Sequence, residues 1–259
     1  MNERDHVRGS TLTDCSVGIF VSALLLGTIV TPLQRQIENR KIEQTEQLLD
    51  KARSALLGYA AAYGYFPCPA TSVSNGQEPV GTDHATGTCP TYYGFLPAAT
   101  LGIEHSDPQG YAIDAWGRAE NRLRYAVINQ AVGPAVNTRA FTRTNGMRTA
   151  AISNLSNTSL SLFHVCSSAA GTVPGTSCGT APTLVSTTPI VVWSVGANAA
   201  SGGLSADEAQ NPNPNGGSED RIFVSRIRNE VAGYAFDDLV TWIPMPLIVS
   251  RMVAAGQLP

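Results

Sequence analysis

The strongest constraint on this chain is an apolar run followed at once by an amphipathic one. From Val17 to Val30 it reads VGIFVSALLLGTIV, fourteen residues without a charge. Extended to Leu12 and Pro32 the run covers about 20 residues, the length that a bilayer span needs, but only with Asp14 inside it. A cleaved secretory signal has an apolar region of about 7–15 residues and then a small-x-small cleavage site. The residues after Val30 are TPLQRQIENRKIEQ and offer no such site. The run is therefore expected to stay attached and to lie in lipid.

Beyond it, Gln34 to Tyr63 carries helical periodicity. Apolar or small residues recur at Ile37, Ile42, Leu48, Leu49, Ala52, Ala55, Leu56, Tyr59, Ala60 and Tyr63, with charges mostly between them. No Pro or Gly interrupts Leu33 to Leu57. The two stretches read as one helix of about 50 residues, roughly 75 Å long at about 1.5 Å per residue. Pro32 is the expected kink, and Gly64 and Pro67 the expected end.

Past Pro67 the composition changes. The whole chain is 43% hydrophobic and only 14% charged, against about 25% charged for typical soluble domains. Such a balance disfavours intrinsic disorder. A net charge of −3 without a basic stripe disfavours nucleic acid as a partner. Cys68 and Cys89 flank one Gly/Pro/Thr-rich loop, and Cys166 and Cys178 enclose a second. Four loop cysteines in an exported chain suggest two disulfides. The nearest-neighbour pairing is the simplest of three connectivities, and the sequence alone does not choose among them. Runs rich in β-branched and aromatic residues at 123–128, 160–166, 190–195, 222–224 and 239–243 read as strands, and 249–255 as a terminal helix. The expected fold is α+β: a long N-terminal helix, half membrane-spanning and half amphipathic, packed on a small antiparallel sheet with long loops.

Catalytic signatures are missing from the sequence. It contains no phosphate loop, dinucleotide fingerprint or Ser-x-x-Lys, so no enzymatic activity is expected. Asp237 and Asp238 are adjacent, and on a strand adjacent residues point to opposite faces, which argues against an acid/base pair. His164 sits in an apolar strand and reads as a core histidine. Residues 205–220, SADEAQNPNPNGGSED, gather four carboxylates among four Asn or Gln residues. Calcium takes six to eight oxygen ligands, so calcium is the one candidate cofactor, with Asp207 and Asp220 as its ligands.

The amino-terminal pattern resembles that of type IV pilin-like proteins, including the type II secretion pseudopilins. A short leader ends in Arg8-Gly9, then Ser10-Thr11-Leu12-Thr13-Asp14 places a carboxylate at the fifth position after Gly9, and the apolar run follows. The family usually has Phe where this chain has Ser10, and Glu where it has Asp14. Segments GYAAAYGYFPCPA, GFLPAATLGI, DAWGRAENRLRYAV and FDDLVTWIPMP also resemble pilin-like stretches.

The resemblance implies prepilin cleavage after Gly9 and methylation of Ser10, with Asp14 pairing the new amino group of a neighbouring subunit. Its domains would be a leader at 1–9, a transmembrane and filament-core helix at 10–32, an amphipathic half at 33–66 and a loop-rich periplasmic β domain at 67–259. The function implied is a structural, minor subunit of a type IV pilus or type II secretion pseudopilus. The alternative is a membrane-anchored periplasmic binding protein or adhesin outside any filament. Expected partners are other pilin or pseudopilin subunits, a prepilin peptidase and a bacterial inner membrane, which the chain would cross once. Some pseudopilins also bind calcium in a loop between late strands.

Overall fold

A computed structural model describes residues 12–104, 107–129, 139–155, 162–201, 205–211, 220–229, 231 and 233–258; the side chains of 12–15 and 22–32 are outside this description. The chain divides into two compact units, Met1–Glu43 and Gln44–Pro259. The elements in order are α1 (Leu12–Tyr63), β1 (Tyr93–Phe95), α2 (Ala98–Leu101), β2 (Arg124–Val127), α3 (Gly146–Leu155), β3 (Phe163–Cys166), β4 (Thr183–Thr188), β5 (Ile190–Ser194), α4 (Ala206–Gln210), β6 (Ile222–Val224), β7 (Leu239–Ile243) and α5 (Met245–Ala254).

The first unit is helical where it is described. Val17, Ile19, Phe20 and Val21 are all exposed within it. Among the described residues no helix is long and apolar enough to cross a membrane. This corrects the expected membrane-spanning helix, and with it the single-pass inner-membrane placement. The physical reason lies in the length of the run: fourteen charge-free residues rise only about 21 Å along a helix, short of a hydrocarbon core of about 30 Å. Reaching that thickness requires Asp14 and its Thr and Ser neighbours.

The second unit is built from the last five turns of α1, the two sheets and the remaining helices. Thr45, Leu48, Leu49, Ala52, Leu56 and Ala60 are buried at spacings of three and four, which puts them on one helical face. Each large side chain so buried contributes roughly 1.5–3 kcal/mol. The helix ends at Gly64, whose φ of +80° suits a glycine and whose N–H donates to the Ala60 carbonyl at 2.8 Å.

The expected single antiparallel sheet is corrected to two open sheets in a mixed α+β fold with several helices. The first has strand order β1-β2-β5-β7, antiparallel throughout. The second has order β4-β3-β6, antiparallel between β3 and β4 but parallel between β3 and β6. In the first sheet Arg124 is paired with Trp193, and Trp193 with Val240, so these three side chains share one face. Trp193 meets Phe223 of β6 edge-on at 5.1 Å, and Phe223 meets Phe163 of β3 at 5.3 Å. The aromatic layer therefore joins the two sheets. Disulfides link Cys68 to Cys89 and Cys166 to Cys178, and each loop closure is worth about 3 kcal/mol in the chain-entropy model.

Candidate metal centre

Three carboxylates converge in the second unit. Glu208, Asp237 and Asp238 each offer an oxygen, and these oxygens lie within 4.8 Å of one another. Glu208 comes from α4, whose N-cap Ser205 accepts the Glu208 N–H at 3.3 Å. Asp237 and Asp238 come from the extended segment before β7. Because they precede the strand, the pleat does not force them to opposite faces, contrary to the expectation from adjacency.

Neighbouring groups hold the cluster in place. Glu208 Oε1 accepts from Asn198 Nδ2 at 2.9 Å and from the Asp237 N–H at 3.0 Å. Asp237 Oδ2 accepts from the Asn198 N–H at 3.0 Å. Asp238 Oδ2 accepts from Asn211 Nδ2 at 2.6 Å, and Asn211 also bonds both backbone groups of Val224 on β6. One oxygen is left over: Asp237 Oδ1 is shut off from solvent and makes no well-formed hydrogen bond, though the Ala197 N–H also acts on this carboxylate. Glu208 and Asp238 are only 4% and 6% exposed, so the negative charge is largely desolvated.

That burial shifts the acids. Asp237 is pushed up to about 6, first by burial and then by the Glu208 carboxylate, with backbone N–H groups opposing. Asp238 is pushed up to about 8 by burial, with Asp237 and Glu208 adding and Asn211 and Arg124 opposing. Both shifts say that the cluster, left to itself, favours an added positive charge. A groove of about 370 Å³, lined by Glu46, Asp50, Arg226, Asp238 and Thr241, reaches Asp238.

The donor set is all oxygen, which suits a hard cation such as calcium. A second grouping, Cys68, Glu78 and His84, also brings ligand atoms together. Its sulfur is used in the Cys68–Cys89 disulfide, and Glu78 already accepts from His84 Nε2 at 3.0 Å and from the Cys68 N–H at 2.6 Å.

The residues expected to bind calcium are engaged elsewhere. Asp207 pairs with Arg226 at 2.9 Å and accepts from Ser168 Oγ and the Ala169 N–H. Asp220 accepts from the N–H groups of Gly175 and Ile222 and from Gln210 Nε2. Both pin loops to β6 and its surroundings. The four loop cysteines form the two disulfides. His164 is half-buried on β3, its pKa lowered by burial and by Arg221. Gly9 and Ser10 lie outside the described residues; Asp14 is part of α1, and its side chain is outside the description.

Comparison with protein-family models, curated proteins and solved structures finds no match for this chain. The assignment to type IV pilins or type II secretion pseudopilins is corrected accordingly. So are the filament-subunit function, the prepilin cleavage and methylation that went with it, and the membrane-anchored periplasmic alternative. Local turn chemistry accounts for part of the resemblance. In the segment DAWG, Asp114 Oδ1 accepts the Trp116 N–H at 2.9 Å, and Gly117 takes a φ of +74°. This is an Asx-type turn that unrelated domains form for the same reason.

Proposed function

We propose that the second unit is a non-enzymatic, disulfide-stapled domain that binds a divalent cation, calcium foremost, at Glu208, Asp237 and Asp238. The observation that carries this reading is the convergence of three carboxylates within 4.8 Å with the Asp237 Oδ1 atom sealed from solvent and without a well-formed hydrogen bond. The bound ion would tie α4, the Asn198 turn and the segment leading into β7 to one another. Two disulfides support assembly in an oxidising compartment. The non-catalytic reading is supported by what surrounds the cluster: the four loop cysteines are oxidised, and the Ser194 hydroxyl is committed to Asp114 at 2.5 Å. Nucleic acid is a poor partner for this surface, since the net charge of −3 and the acidic groove both repel phosphate.

The test is thermal melting of the EDTA-treated full chain with and without calcium. A ligand at about 100 times its Kd adds roughly 2.7 kcal/mol of stability, which at this chain length raises Tm by about 5–10 °C. Asp237→Asn should remove that increment while leaving the calcium-free Tm similar or higher. An unchanged Tm at millimolar calcium would overturn the reading.

A further inference from the structure

Arg124 opens β2 and is only 8% exposed, and its Nε is sealed from solvent without an acceptor. Among the described residues its guanidinium makes no hydrogen bond and no direct ion pair. A largely buried cation whose Nε has no acceptor is costly to hold unless an opposite charge lies nearby. The sheet register shows where it faces. Arg124 lies beside Trp193, which lies beside Val240, and Asp238 stands two residues before Val240. The opposite charge acting on Arg124 is that of Asp238. With its acids ionised, the centre holds three negative charges and one fixed positive one. Two negative charges remain uncompensated, the amount that one divalent ion neutralises.

We propose that Arg124 is a built-in counter-charge of the metal centre, a positioning residue that touches no ligand atom and lowers cation affinity by its fixed charge toward Asp238. This rests on the reading of Glu208, Asp237 and Asp238 as a cation site. Arg124 compensates part of the buried acid when the ion is absent and lets the ion leave. Replacing it with a neutral side chain leaves the acids dependent on the ion.

Calorimetric titration of the EDTA-treated full chain with calcium tests this, using wild type, Arg124→Met and Arg124→Lys. Arg124→Met should bind calcium at least tenfold more tightly, the size expected of one unit charge within about 12 Å of an ion at an effective dielectric of about 20. Arg124→Lys, which keeps the charge, should stay near wild type. If wild type binds and Arg124→Met binds equally or more weakly, the role of Arg124 is overturned and the metal centre stands. If neither binds, the centre itself falls and this inference with it. Binding by Arg124→Met alone would show that the fixed charge excludes the ion, which supports the role of Arg124 and overturns the wild-type site. Should Arg124→Met fail to fold without calcium, recovery of its native circular dichroism in millimolar calcium supports the proposal, and no recovery overturns it.

Discussion

A methyl group at residue 196 has no room. Gly196 has a φ of +65°, and a Cβ built there would lie 2.4 Å from the Asp237 carbonyl oxygen and 2.6 Å from its carboxyl carbon. The backbone of the β5 end thus presses on the carboxylate it helps to place. Gly196→Ala should cost about 1–3 kcal/mol for the forced conformation alone, read as a lower urea midpoint, and should weaken calcium binding together with stability. His84 offers a different residue-scale test. Its Nδ1 faces the Thr142 carbonyl at 2.7 Å and its Nε2 faces Glu78 Oε1 at 3.0 Å. Both partners are acceptors, so both ring nitrogens are satisfied only in the imidazolium form. Burial opposes that charge, but the Glu78 hydrogen bond, the Thr142 carbonyl and the Glu78 charge outweigh it and raise the pKa above 6.5. The stabilisation from His84 is therefore full below about pH 6.5 and is lost as pH rises through the raised value. The stability gap between wild type and His84→Gln, measured by denaturation across pH 5 to 9 (about the range in which a histidine titrates), should narrow toward the alkaline end. A gap that widens would reverse the assignment of charge.

At the scale of elements, the helix and the disulfide loops make the clearest predictions. Leu56 is fully buried on α1, and Leu56→Ala should destabilise by about 2–5 kcal/mol, measured by urea unfolding. Replacing both Cys166 and Cys178 with Ala should cost about 3 kcal/mol and loosen β3 and β4, seen as faster amide exchange there. Legibility in the sequence follows how much each element depends on its own residues. The runs of β2, β5, β6 and β7 are apolar enough to be read directly. β4, with the sequence TLVSTT and mostly exposed or half-buried positions, lies at a sheet edge and offers no hydrophobic pattern. α4 is hidden inside a loop-like composition. Yet Ser205 three residues before Glu208 is a capping-box spacing, and its backbone half is formed in the structure. That signal would have placed Glu208 on a helix start. Nothing local tells that Glu208 meets Asp237 and Asp238, about thirty residues away, because the meeting depends on the packing of α4 beside β6.

At the scale of the whole molecule, the composition that suggested an anchor now describes two separate units. The apolar content of Val17 to Val30 belongs to the first, and among the described residues the buried core belongs to the second. The antiparallel first sheet links strands by simple pairings, but the second sheet contains the parallel pair His164↔Ile222, Val165↔Phe223 and Cys166↔Val224. A parallel pair needs a long crossover, and here the crossover includes β4, β5 and α4. Contacts so distant in sequence are slow to form. For a chain made from its amino terminus, β3 must wait for β6, and Glu208 must wait for Asp237 and Asp238. The cation would then enter last, acting as a seal on a domain whose other parts have already come together.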